Sequence, residues 1–287
     1  MKNKYLTIDV GGTKIEVCKL DQNYQITDSQ KIDTQGLKVG SLDFIDELKK
    51  IIINNLDADI EKIGVSFKAA VNNGVITYAT LLGGKVNYEL EKEFKKEFGV
   101  KVKLENDVNA MAIAESKIGK GQDLHSFVLL NLGTGIKLAY FNNGKFINGF
   151  TGNTGEISQK EIIVPELKNK VIKIDFLVSG QGIENIYKEL CGKEMKAKDI
   201  FAKTNDDPRA KETIEIFIKY FSQLLTDISY FYNPEKIIIT GSVKKSADHF
   251  LDKAVKIYKE KTMDIFHFKE IEISEQDHCA GLGCVLD

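Results

Sequence analysis

Two α/β halves built on one plan are what this sequence predicts. At 287 residues the chain exceeds a single average core, and its 43% hydrophobic content is enough to fill two. Segments alternating with period two are interspersed with segments of helical period. An arrangement also recurs: Asp9-Val10-Gly11-Gly12-Thr13-Lys14-Ile15 and Asn131-Leu132-Gly133-Thr134-Gly135-Ile136-Lys137 share a polar residue, an apolar one, a glycine-rich turn and a returning strand. That separation is too long for a solenoid and points to related halves. A cleft between two lobes is the default place for a ligand.

The elements follow in order. Tyr5 to Val10 alternates, turns at Gly11-Gly12-Thr13 and returns as Lys14 to Leu20. Leu42 to Leu56 reads as a helix, with Ser41 able to cap it and Phe44, Ile45, Leu48, Ile51 and Ile52 on one face. Ile63 to Phe67 and Gly74 to Ala79 read as short strands, and Glu89 to Phe98 as a helix stopped by Gly99. Val100 to Leu104 is a strand that passes through Glu105-Asn106-Asp107 into a small-residue helix, Val108 to Ser116. Ser126 to Leu132 is a buried strand answered, after Gly133-Thr134-Gly135, by Ile136 to Phe141. The clearest helical period spans Glu212 to Tyr232 and stops at Pro234, ahead of a strand from Lys236 to Ile239. Cys279 to Leu286 is apolar enough for a packed terminal helix.

Charge and composition exclude several classes. With 40 basic and 42 acidic side chains the net charge is −2, which leaves no footprint for nucleic acid or for an anionic membrane. The N-terminal MKNKYLTIDV lacks the apolar region of a signal peptide, and no apolar run is long enough to span a bilayer. Cys18, Cys191, Cys279 and Cys284 are scattered without a CxxC pair, as reduced cytoplasmic thiols would be. His125, His249, His267 and His278 stand apart from them, so no zinc site is expected.

Chemistry is expected at three places. Glycines in a turn between strands let backbone N–H groups approach a phosphate, because no Cβ shields them. Alone, either turn is also ordinary hairpin chemistry. Both together, with Asp9 ahead of the first, favour phosphate, and Asp9 could hold Mg²⁺ through water. Asn106 and Asp107 stand where a strand meets a helix, which suits an N-cap as well as a proton acceptor with a hydroxyl-binding neighbour. Glu156, flanked by glycine, suits a solvated loop or a ligand contact.

Together these segments resemble the ROK family of sugar kinases and repressors, which has a two-lobed actin-like and hexokinase-like (ribonuclease H-like) ATPase fold. Asp9-Val10-Gly11-Gly12-Thr13-Lys14 is similar to its first phosphate loop, Glu105-Asn106-Asp107-Val108-Asn109-Ala110 to its ENDxNA catalytic segment, and Gly133-Thr134-Gly135 to its second phosphate loop. Thr154-Gly155-Glu156-Ile157 resembles the sugar-binding GEIG stretch, and Ile239-Thr240-Gly241-Ser242 the strand and loop near the adenosine. The resemblance implies an ATP- and Mg²⁺-dependent kinase with Asp107 as the base that activates a sugar 6-hydroxyl. Asn106, Glu156, Asp175, Thr80, Ala69 and Gln159 would meet the sugar. Gly11, Gly12, Thr13, Lys14, Gly133, Thr134, Gly135, Gly241 and Ser242 would meet the nucleotide. It implies lobes at 1–117 with a C-terminal helix at about 278–287, and at 118–277, in a cytoplasmic homodimer.

The chain departs from the family pattern in several places. Gln159 replaces the usual histidine, and the cysteine-rich zinc loop is missing between Gln159 and Asp175, so that packing must hold this loop. Asp175 stands where the family has a longer glutamate. Phe67-Lys68-Ala69-Ala70 replaces a PG turn, and Thr80 an asparagine. Thr80 and the missing zinc loop resemble N-acetylmannosamine kinases more than glucokinases. Glucokinase or another neutral-hexose kinase is the alternative, followed by a non-catalytic sugar sensor. A repressor would carry a helix-turn-helix domain ahead of Asp9, where eight residues stand.

Overall fold

The structure is a computed structural model that describes residues 2–276 and 279–286, so His278 lies outside the described residues. Contacts divide the chain into two compact units. One comprises Met1–Asp123, Phe146–Thr154 and Glu275–Asp287; the other comprises Leu124–Lys145 and Gly155–Ser274. The expected boundary after residue 117 leaves 146–154 with the second lobe, whereas contacts place this segment in the first unit. There Gly152, at φ +78°, approaches so closely that a Cβ would lie 2.0 Å from the Val71 carbonyl oxygen.

In the first unit β1 (Tyr5–Val10), β2 (Lys14–Leu20), β3 (Ile26–Asp33), β4 (Lys62–Phe67) and β8 (Lys101–Asn106) form a sheet in the order β3-β2-β1-β4-β8. The β1–β2 and β2–β3 pairs are antiparallel, while β1–β4 and β4–β8 are parallel. A smaller sheet contains β5 (Ala70–Asn72), β6 (Val75–Ala79) and β7 (Gly84–Tyr88). Strand alternation sends Ile8, Val10, Val65 and Phe67 to one face, where Phe44, Leu48 and Ile52 of α1 (Asp43–Asn55) and Phe94 of α2 (Leu90–Phe98) complete a core. The register aligns Asp9 with Ser66 and so places both on the opposite face. That face is near α8 (Cys279–Leu286), which also packs on α3 (Asp107–Ile118). Close approach explains the glycines here: a Cβ on Gly281 would lie 2.8 Å from Thr7, and one on Gly283 would lie 1.8 Å from the Ala110 carbonyl oxygen.

The second unit repeats the plan. Strands β9 (Ser126–Leu132), β10 (Ile136–Asn142), β11 (Lys145–Phe146), β14 (Lys236–Thr240) and β15 (Glu270–Ile273) lie in the order β11-β10-β9-β14-β15. Again the hairpin partner β10 is antiparallel to β9, while β14 and β15 continue in parallel. Helices α4 (Gly180–Cys191), α5 (Ala197–Ala202), α6 (Pro208–Phe231) and α7 (Leu251–Lys261) supply the rest. Phe217 and Phe221 of α6 meet Phe250 edge to face, with ring centroids 5.1 and 5.4 Å apart, inside a buried cluster that includes Phe201. Helix α6 begins four residues before its expected start, because Asp207 accepts the Arg209 N–H at 2.8 Å and Pro208 fits the first helical position.

Between Gln159 and Asp175 the chain forms a hairpin of β12 (Glu161–Val164) and β13 (Lys170–Lys173). Val164, Leu167 and Ile174 enter the unit's core, while Glu166 accepts hydrogen bonds from the Lys219 ammonium and, at 3.0 Å, from the Tyr220 hydroxyl on α6. Lys160 also pairs with Asp227 of α6. Packing and ion pairs thus hold the segment in which the family pattern has its zinc loop.

Candidate active site

In the first unit Asp9 is the penultimate residue of β1, and the buried Ser66 hydroxyl of β4 donates to its carboxylate. The turn that follows is closed by the Gly11 N–H donating to the Lys14 carbonyl at 3.0 Å. A Cβ on Gly11 would lie 2.9 Å from that carbonyl oxygen, which excludes a side chain. Around Gly12 nothing lies within 4 Å of where a Cβ would be, so its backbone is open to a phosphate oxygen, and Thr13 and Lys14 beside it are exposed. The pair of Asp9 and an open glycine turn fits a magnesium phosphate group in its donor chemistry. Where α8 packs on the sheet, burial pushes the Cys18 thiol up to about 11 and raises that of Cys284 well above its ordinary value, with nearby carboxylates adding to both. Both are neutral packing groups at physiological pH.

Asn106 and Asp107 occupy different positions at the start of α3. Asn106 is the cap: its Oδ1 accepts from the Val108 and Asn109 N–H groups at 3.1 and 3.3 Å, and its Nδ2 donates to the Ala69 carbonyl at 2.9 Å. Asp107 is the first residue of α3, where the positive end of the helix favours a carboxylate. Glu105 braces the junction by accepting from the Asn106 N–H at 2.8 Å and from Asn109 Nδ2 at 3.3 Å, and Asn109 also reaches Asn148 Oδ1 at 3.4 Å. Glu105 and Asn109 were not singled out from sequence, although their place in the same motif was the signal. Ala69 is buried beneath the cap, and Thr80 is exposed at the start of a 3₁₀ turn, Thr80–Leu82.

In the second unit the Gly133 N–H closes its turn onto the Gly135 carbonyl at 3.0 Å. Behind this turn Gly241, at φ +88°, approaches so closely that a Cβ would lie 2.4 Å from the Leu132 carbonyl oxygen, and Ser242 beside it is exposed. Asp175 has a backbone partner: its Oδ1 accepts the Ile136 N–H at 2.7 Å. Glu156 is exposed, accepts the Ser158 hydroxyl on Oε1 and faces the Lys137 ammonium at 3.5 Å. Gln159 donates to Ser158 Oγ at 3.1 Å and accepts from Lys173 Nζ at 2.7 Å, so a polar relay runs from β13 towards Glu156. Among the described residues, no group of three His, Cys, Asp or Glu side chains is arranged to hold a metal, and no helix is long and apolar enough to cross a membrane.

Comparison with known proteins adds the following. The sequence profile of the ROK family matches residues 5–285. A glucokinase of Halalkalibacterium halodurans is 27% identical over 273 residues, which cover 86% of this chain and 82% of that protein. The solved structure of the Lmo2764 protein of Listeria monocytogenes, for which N-acetylmannosamine kinase activity is proposed, matches with a TM-score of 0.83 and 25% identity, over 99% of this chain and 97% of the other. A ROK family glucokinase from Streptomyces griseus, solved with glucose and AMPPNP, shares the fold with a TM-score of 0.78 at 19% identity, over 99% and 98% of the two chains.

Proposed function

Because the chain belongs to the ROK family, we propose that it transfers the γ-phosphoryl group of MgATP to the 6-hydroxyl of an N-acylhexosamine, with N-acetylmannosamine as the preferred acceptor. It is a sugar kinase, and its relatives include named glucokinases. Asp107, set at the first position of α3 by the Asn106 cap and the Glu105 brace, carries the reading.

In the proposed reaction the Asp107 carboxylate takes the proton of the sugar hydroxyl as its oxygen attacks the γ-phosphorus, the bond to the β,γ-bridging oxygen breaks, and ADP leaves. Asn106 and Glu156 orient the sugar's other hydroxyls, with Thr80, Ala69 and Gln159 beside it. The Gly11-Gly12-Thr13-Lys14 and Gly133-Thr134-Gly135 turns offer N–H groups to the phosphates, and Gly241 and Ser242 flank the nucleoside. Asp9, oriented by Ser66, would hold Mg²⁺, which when bound neutralises phosphate charge. Little covalent work is asked of the protein in such a transfer, so positioning dominates.

The acceptor preference rests on Thr80 and on a hairpin in place of the zinc loop, and it agrees with the activity proposed for Lmo2764. A coupled assay with MgATP and N-acetylmannosamine, N-acetylglucosamine, glucose, fructose and mannose tests it. The highest kcat/KM is expected for N-acetylmannosamine, whereas a ratio favouring glucose selects the glucokinase alternative. A cytoplasmic homodimer is part of the same proposal, and sedimentation at twice the chain mass is its readout.

A further inference from the structure

We propose that Asp175 is a positioning residue for the second glycine turn and, through it, for the nucleotide. This assigns it to the phosphate side of the reaction and not to the sugar, and it rests on the kinase reading above.

Three observations converge on the turn. The Asp175 carboxylate accepts the Ile136 N–H at 2.7 Å, at the first residue after the turn. Glycine at 135 makes this approach possible, since a Cβ there would lie 2.9 Å from Asp175 Oδ1. The start of α4 grips the same turn through its backbone: the Gly180 N–H donates to the Gly133 carbonyl at 2.8 Å, and the Gln181 N–H donates to the Thr134 carbonyl at 3.3 Å. Ser179 joins these two grips, because its hydroxyl donates to the Asp175 carbonyl at 2.5 Å and accepts the Gly182 N–H at 2.9 Å. The buried Ile174 anchors the aspartate from the other side.

With two of its carbonyls and the N–H that follows it held, the turn has its peptide planes fixed before a phosphate arrives. Such preorganisation acts on nucleotide affinity, because the cost of ordering the loop is met in folding. An aspartate carboxylate is a strong acceptor for a backbone N–H, and losing a hydrogen bond to a charged group has a measurable effect.

The test compares Asp175→Ala, Asp175→Asn and the unmodified enzyme. KM is measured for MgATP and for the sugar, MgADP binding by calorimetry, and amide exchange across 133–137. Asp175→Ala is expected to raise KM for MgATP about tenfold, to weaken MgADP by a similar factor and to speed exchange at Ile136, with the sugar KM within about threefold. Asp175→Asn keeps an acceptor oxygen and is expected to recover most of the loss. Should the alanine variant not fold, Asp175→Ser removes the carboxylate while retaining a small polar group, and the same readouts apply. A rise in sugar KM with nucleotide KM and exchange unchanged overturns the assignment. If the unmodified protein phosphorylates none of the sugars, the kinase reading fails, yet MgADP binding and amide exchange still decide the role of Asp175.

Discussion

Asp107 and Asn106 are adjacent, yet the structure gives them different work. The cap belongs to Asn106, whose amide oxygen meets two helix N–H groups, while Asp107 occupies the first helical position. Asp107→Asn is therefore expected to keep fold and sugar binding while lowering kcat at least about 100-fold, the usual order for a general base. Steady-state kinetics with direct sugar titration measure this, and a loss under tenfold would leave Asp107 as part of the helix start alone. From the residues alone the junction suited a cap as well as a base, and the role of Asp107 as base came from the family resemblance; which of the two residues caps the helix is given by the structure. Ser66 was missed, since its link to Asp9 exists only in the parallel register of β1 with β4. A second residue-scale prediction concerns acid. Glu235 accepts from Lys269 at 2.7 Å and from the His125 and Ser126 N–H groups at 2.8 and 3.1 Å, and its carboxyl is held below the ordinary glutamate value, chiefly by the Lys269 ammonium. A lowered folded-state value means stabilisation that is present above the ordinary 4.5 and lost as pH falls through the folded value. Glu235→Gln should flatten that acid limb in thermal melts taken from pH 6 to pH 3.

Among the elements, the β12–β13 hairpin has the clearest structural consequence. Leu167 and Val164 are buried beneath it, while Ile163 and Val171 pair on its other face, each 62% exposed. Leu167→Ala is expected to destabilise the protein by about 2–4 kcal/mol, the range for a large-to-small change in a core. Phenanthroline should leave activity unchanged, and denaturant melts with a chelator-treated assay check both. Legibility varied with burial. Helix α2 and its Gly99 stop could be read from the sequence, with glycine in the left-handed region at φ 69° where expected. Strand β3 could not: its sequence ITDSQKID lies at a sheet edge with seven of its eight residues exposed, so no apolar alternation marks it. Helix α4 was not read from the sequence, though its Ser179 cap and apolar spacing were present, since Gly180 and Gly182 in its first turn weaken the helical signal.

Across the whole molecule, one sheet plan appears twice, with a glycine turn joining β1 to β2 and another joining β9 to β10. This could be read from one recurring heptapeptide, because a hairpin followed by parallel strands imposes similar demands on its first turn in each copy. The limits of the units were harder to read. Segment 146–154 returns to the first unit through contacts remote in sequence, such as Gly152 against Val71. Helix α8 does so more strongly, lying against α3 with Gly283 beside Ala110 and Gly281 beside Thr7. During synthesis on the ribosome, a sheet built from residues 5–106 therefore has to wait for the distant segment 279–286 before this face is covered, including Cys18 and Leu20, which pack with Leu282 and Val285. Until then Gly64 and Thr7 lack their native neighbours, and a nascent chain stalled before residue 279 would offer that surface to a chaperone.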